Sequence, residues 1–228
     1  MTPTPTLPRA ILHSLTAILA LGAVAMFCVG CNVANAVAYK VSGPPAVDAK
    51  YVPAQEPMLV LVENYRTTGV YSDSEVLARH LMLEFTEHKI APLVPLEDLY
   101  TLKMNKGDAY HKMSIASVGR ETGAKQVLYV DVKDSSVGAT PGSELMKGRI
   151  NVQVRIVDVD SGATRWPTEA NEGLPMGYET PLPRADENTT EAIIRNRMYA
   201  NMANRIGRLF YKWKPDETGE ELDMGQQQ

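Results

Sequence analysis

Only two cysteines occur in the 228 residues, Cys28 and Cys31, and nothing beyond position 31 can form a disulfide, act as a thiol nucleophile or supply a cysteine zinc site. A domain built from the rest must hold by packing alone. Positive charge is not in excess: the formal net charge is −4, Arg9 is the only basic side chain before Lys40, and no acid precedes Asp48. That balance gives no general pull toward nucleic acid or an anionic surface. Motifs that announce chemistry are missing as well. There is no phosphate-binding loop, no G-x-G-x-x-G and no G-x-S-x-G. No internal repeat is seen. The apolar run Leu15–Val29 is about fifteen residues, short of the ~20 that a spanning helix needs.

What is present begins at the N-terminus. Arg9 precedes that apolar run, which closes in Val29-Gly30-Cys31. A positive end, an apolar middle and small residues are the layout of a secretory signal peptide. A cysteine directly after a small residue resembles the lipobox of bacterial lipoproteins, although Cys28 stands where that family usually has leucine. The resemblance implies loss of residues 1–30 and a lipid anchor on Cys31. Asn32, in place of aspartate, implies the outer membrane in a host that has one, with the protein facing the periplasm. Two other readings stand beside it: an ordinary signal peptide cut at Ala34-Asn35-Ala36, and an uncleaved anchor.

Residues 31–57 are rich in Ala, Val and Pro without a clean period and read as a flexible tether. The domain is expected over 58–214. Met58–Val62 is continuously apolar, as a buried strand is. Ser72 and Glu75 form a capping-box pattern, and Leu77, Leu81 and Phe85 make one stripe of a helix ending near His88. Ile90–Val94 reads as a short edge strand, with Leu96–Met104 and 108–122 as helices, the second closed by Gly123. Gln126–Val132 is strand-like, Gly138–Gly148 a loop, and Arg149–Val159 alternates with period two. Asp160-Ser161-Gly162 turns the chain into a partner strand from Ala163 to Trp166. Residues 171–187 read as a Pro- and Gly-rich loop. Asn188 or Thr189 is expected to cap a long last helix reaching Trp213, and 215–228 is a disordered polar tail. The pattern predicts an α/β domain: a single mixed β-sheet with helices packed on it, a hairpin meander and a long C-terminal helix.

The segments LVLVENY at 59–65, SVGRETGAKQVLYVDV at 117–132 and RIVDVDSGATRW at 155–166 carry a resemblance. They are similar to envelope lipoproteins of the CsgG, PelC and penicillin-binding-protein-activator kind, and more distantly to the N-terminal domain of TolB. The resemblance implies a scaffold, secretion component or activator and no catalytic residues. It also implies other envelope proteins as partners and leaves a homo-oligomer open. The long membrane hairpins of the curli-type channel have no counterpart: neither Thr67–Tyr71 nor Gly138–Gly148 supplies paired strands of ~9–11 residues. A pore formed by this chain alone is therefore not expected.

Three groups of residues have the composition that chemistry or binding could use. His80, Glu84 and His88 share a helix face, but i to i+8 spans about 12 Å, too far for one metal ion, so a solvated polar face is expected. Asp131, Asp134, Asp158 and Asp160 lie on or after strands and are expected in turns and solvated edges; paired acids from Asp131 and Asp158 would require close approach. The last helix carries Arg195, Arg197, Arg205, Arg208, Lys212 and Lys214, with Tyr199, Tyr211 and Trp213 nearby. Its Arg195, Tyr199, Arg205, Arg208, Tyr211 and Trp213 are the candidates for partner binding. No cofactor and no metal is expected. The leading reading is a non-enzymatic, lipid-anchored, periplasm-facing envelope protein that scaffolds others, attached to the membrane through Cys31. The rival is a soluble periplasmic or secreted module that binds a small molecule or glycan.

Overall fold

The computed structural model describes residues 44–64, 73–139, 146–170, 172–182 and 190–215. The chain divides into two units, Met1–Val47 with Lys214–Gln228, and Asp48–Trp213; every helix and strand described belongs to the second. Cys31, the signal-like stretch and the polar tail lie outside the described residues. Among the described residues, no helix is long and apolar enough to cross a membrane.

The elements run β1 (Met58–Glu63), α1 (Asp73–Glu87), α2 (Leu96–Lys106), a 3-10 turn (Gly107–Lys112), α3 (Ile115–Glu121), β2 (Gln126–Ala139), β3 (Met146–Asp158), β4 (Thr164–Trp166), β5 (Leu174–Glu179) and α4 (Glu191–Gly207). β1 is parallel to β2, and β2 is antiparallel to β3. Both β4 and β5 pair antiparallel with β3, β4 near its end and β5 near its start. The result is one mixed sheet with helices packed on it, the α/β class that the sequence pattern predicts.

Strand alternation sends two apolar sets to opposite faces. Val60, Val62, Leu128, Val130, Val152, Val154 and Ile156 meet Leu77, Leu81 and Phe85 of α1 and Ile194, Met198, Met202 and Ile206 of α4. On the other face Leu59, Leu61, Val127, Val157 and Val159 meet Leu99, Leu102 and Val118. The Leu77-Leu81-Phe85 stripe is wholly buried, as its spacing predicts. Gly119 explains how α3 sits so low on its face. A Cβ there would lie 2.6 Å from Val159 Cγ2 and 2.8 Å from Val127 Cγ2.

Several expected boundaries move. Residues 138–148 are not all loop, because β2 continues to Ala139 and β3 starts at Met146. Gly148, expected at the end of that loop, is a packing residue: a Cβ on it would meet Met198 Sδ at 3.1 Å and Ile194 Cγ2 at 3.2 Å. Residues 171–187 contain β5, whose Leu174, Met176 and Tyr178 pack toward the core while Pro175 and Gly177 are exposed. Pro175 is compatible because β5 pairs with a single strand among those described. Ile90–Val94 contributes an isolated bridge, Met58 to Leu93, rather than a strand. The expected helix 108–122 is broken. Met113 is extended, and the Ser114 hydroxyl then accepts the Ser117 N–H to start α3. α4 starts after Thr190, whose side chain caps Ile193 N, and it stops at Gly207 rather than Trp213.

Residues 48–57, expected in the tether, pack against the domain. Lys50 N and Tyr51 N both donate to Leu209 O, at 2.8 and 3.1 Å. Tyr51 stacks with Trp166 at 6.2 Å, and Pro53 is buried. The Gln126 amide donates to Ala54 O at 2.7 Å and Glu56 O at 3.1 Å. Prolines exclude a helix here, yet they leave carbonyls free for these bonds.

Candidate interaction site at the C-terminal turn

α4 ends by tightening into a 3-10 turn, with Leu209 N bonded to Ile206 O at 3.1 Å. Phe210 N turns back to Gly207 O at 2.8 Å, and the Leu209 carbonyl is occupied by Lys50 and Tyr51. Phe210 is then buried against Phe85 and Trp166, with ring centroids 5.5 Å apart in each case. The chain from 208 to 213 is left on the surface beside α1.

There it meets Glu84. This side chain is 12 % exposed. It accepts the Tyr211 hydroxyl at 2.7 Å and the Asn204 amide at 3.3 Å, and His88 Nε2 lies 3.4 Å away. The His88 ring stacks on Tyr211 at 3.7 Å. A Cβ on Gly207 would fall 2.4 Å from Glu84 Cγ, so glycine is what lets α1 and α4 close over the carboxylate. The expected solvated polar face on α1 is therefore corrected at Glu84, which is a buried junction. Burial, then the Glu84 hydrogen bond and charge, push the Tyr211 hydroxyl well above the usual phenol range.

The six candidates do not share one surface. Tyr199 is corrected outright: it is fully buried against the sheet, and its hydroxyl donates to Ser135 Oγ at 3.4 Å. Arg195 pairs with Glu191 one turn earlier on α4. Arg205 lies over the Tyr178 ring at 4.8 Å, on the side of β5. Arg208, Tyr211 and Trp213 do come together, with the Arg208 guanidinium 4.4 Å over the Trp213 ring. Lys212 beside them is 65 % exposed and pairs with Asp48 at 2.8 Å.

The strand acids do not converge. Asp131 stands opposite Gln153 and Asp158 opposite Gln126, five residues further along β3 and so about 17 Å away. Asp131 pairs with Lys133 at 2.5 Å, and Asp134 faces Asn151 across the ladder. Asp158 is a turn residue. Its carboxylate accepts Ser161 N and Ser161 Oγ, both at 2.7 Å, and Arg165 Nε at 2.8 Å, and these bonds hold it well below the usual carboxylate range. Among the described residues, no group of three or more His, Cys, Asp or Glu is placed to hold a metal ion.

Two features escaped the sequence reading. Glu63, at the end of β1, accepts Tyr110 Oη at 3.1 Å and Tyr129 Oη at 3.4 Å, and Arg155 lies 5.0 Å from the Tyr129 ring. Nothing in the local pattern links positions 63, 110 and 129. An open groove of about 620 Å³ also runs between the end of α1 and residues 89–97, lined by Met82, Phe85, Ala91 and Leu93 with Lys89 and Glu97 among its polar groups.

No protein-family model matches the chain, and no curated protein does. Solved structures resemble its fold weakly. The lipoprotein GNA1162 of Neisseria meningitidis is 15 % identical over 68 % of this chain and 98 % of its own, with a TM-score of 0.42. The PelC dodecamer of Paraburkholderia phytofirmans is 13 % identical over 72 % and 92 %, with a TM-score of 0.36. TolB of Acinetobacter baumannii is 11 % identical over 72 % of this chain and 28 % of its own, with a TM-score of 0.31. At these values the likeness assigns no family.

Proposed function

We propose that this chain is a lipid-anchored protein of the bacterial envelope, held by acylated Cys31 and acting as a non-enzymatic scaffold or accessory subunit. The observation that carries the reading is the Arg9–Cys31 stretch, with its apolar run closing in Val29-Gly30-Cys31. Two further observations agree with it. Asp131 and Asp158 stand five residues apart along β3, beyond reach of a shared water. Arg208, Tyr211 and Trp213, grouped half-buried at the C-terminal turn, have the composition of a docking patch rather than of a reacting centre. Outer-membrane placement facing the periplasm, other envelope proteins as partners and self-association belong to the same proposal. The soluble binding-module reading would use the groove beside Phe85.

Labelled-palmitate incorporation and intact mass of the chain expressed in a bacterial host, beside Cys31→Ser, test the anchor. Acylated material beginning at Cys31, with label lost in the variant, is the expected result. An unlabelled product beginning after Ala36 would remove the anchor from the proposal.

A further inference from the structure

The domain begins at Asp48, and its first residues are bonded to the same turn that carries the exposed Lys212 and the half-buried Arg208 and Trp213. Lys50 and Tyr51 hang from Leu209 O, and Asp48 pairs with Lys212. Tyr51 packs inward on Trp166 while its neighbours Lys50 and Val52 are exposed, Val52 at 72 %. Next to them Arg208 lies over Trp213. One patch thus combines Lys50, Arg208 and Lys212 with an exposed valine and an amphipathic indole. Asp48, paired with Lys212, and Glu84, which takes Tyr211 and Asn204, are acids that the described contacts place beside them.

We infer that this patch, Lys50, Val52, Arg208, Lys212 and Trp213, docks onto an anionic lipid surface and sets the orientation of the domain on its membrane. The inference rests on the anchor proposed above. Indole rings and basic side chains with apolar stems suit the headgroup layer, where one end is apolar and the other wet. The chain as a whole is acidic, at −4. Its average charge therefore repels an anionic bilayer, and only a locally cationic face can approach. From Cys31 to Asp48 the backbone spans at most ~60 Å. An acylated Cys31 thus keeps this face at a high effective concentration near the bilayer, and a weak contact suffices. Each basic side chain near such a surface contributes about fivefold in partitioning. A protein partner would also fit an aromatic and arginine patch, but the start of the domain at this position favours the lipid.

The test uses the full chain, acylated and reconstituted in vesicles, with Val52→Cys carrying an environment-sensitive fluorophore. Loss of the first 30 residues and acylation of Cys31 leave position 52 as the one free thiol. Vesicles of phosphatidylethanolamine with phosphatidylglycerol are compared with phosphatidylcholine alone. The expected result is a blue-shifted emission, quenched by brominated lipid, in the anionic vesicles. Lys50→Glu with Lys212→Glu should then weaken the response about tenfold or more. Water-like emission in both vesicle types, with acylation confirmed by mass, overturns the docking face and leaves the anchor standing. Equal shifts in both compositions, or a shift that survives the charge reversals, also overturn it. Where mass shows no acyl chain, the anchor has failed separately. Vesicles added to the unacylated chain, labelled at position 52 with Cys28 and Cys31 replaced by serine, then decide the face: a shift confined to anionic vesicles supports it, and no shift overturns it.

Discussion

Two places in this domain are built alike and were unequally legible. At the β3–β4 turn a carboxylate, Asp158, collects the Ser161 backbone and hydroxyl and Arg165, while Gly119 lets α3 rest on Val159 close by. At the C-terminal turn another carboxylate, Glu84, collects Tyr211 and Asn204, while Gly207 lets α4 close on it. The first carboxylate draws its partners from three and seven residues away. The second draws them from 120 and 127 residues away. A carboxylate served by its own turn leaves a pattern in the sequence; one served by a distant helix does not.

The glycines separate the two places most sharply. At position 119 the obstacles are methyl groups of the buried Val127 and Val159, which have no room to turn. Gly119→Val should cost about 3 kcal/mol, the upper part of the overpacking range. A urea midpoint unchanged from the parent chain would show that α3 can ride up at little expense. At Gly207 the obstacle is a side chain with an exit to water, so Gly207→Ala should cost less. Its cost should shrink further in a Glu84→Ala background, in a double-mutant cycle. Equal costs in both backgrounds would place the constraint elsewhere.

The next effect in size tests the long-range carboxylate itself. Glu84→Ala leaves the Tyr211 hydroxyl and the Asn204 amide without their acceptor, at about 2 kcal/mol for two partners of about 1 each. Thermal unfolding of the variant measures it. A loss below about 0.5 kcal/mol would mean that water replaces the carboxylate as readily as at an exposed site.

These differences explain which parts of the fold the sequence pattern reveals. The Leu77-Leu81-Phe85 stripe, the alternation of Ile150 to Ile156 and the turn at Asp160-Ser161-Gly162 are periodic or local, and the structure keeps each of them. What was misread had its cause across the molecule. β5 exists because Leu174, Met176 and Tyr178 find a place beside β3, although Pro175, Gly177 and flanking prolines mark the region as loop. Gly148 stays in a strand because α4 needs its small volume. Past Gly207 the chain tightens, with Leu209 N and Phe210 N on Ile206 O and Gly207 O, and Leu209 O, which a helix reaching Trp213 would give to Trp213 N, goes to residues 50 and 51. The candidate site fared the same way. Arg208, Tyr211 and Trp213 come together, whereas Tyr199, on α4 beside the Met198 and Met202 stripe, turns inward onto the sheet.

Asp158 gives a smaller effect with a pH signature. Its carboxyl is held below its ordinary value by the Ser161 N–H, the Ser161 hydroxyl and Arg165. A group depressed in the folded state binds its proton more readily in the unfolded one, so its contribution is present above the unfolded value near 4 and fades as pH falls below that. Asp158→Asn should therefore cost about 1 kcal/mol at neutral pH. The gap to the parent chain should narrow in denaturant melts as the pH is taken from about 4 downward. A gap that stayed constant to the acid end would assign the loss to the altered turn rather than to the charge.

The smallest effect completes the pair. Tyr211→Phe removes the hydroxyl from Glu84 and keeps the ring stacked on His88. Because Asn204 still donates to the carboxylate, the expected cost is about 0.5–1 kcal/mol. The hydroxyl is held above the ordinary phenol range only in the folded chain, so its contribution is present below the unfolded value near 10 and is lost as pH rises past it; the difference from the parent should be flat from neutral pH to about 9 and narrow beyond. Melts at pH 7 and pH 11 decide it. A difference that stayed constant to pH 11 would show Tyr211 ionising as readily in the folded chain as in the unfolded one, and the C-terminal turn would then be a loose contact rather than the counterpart of the Asp158 turn.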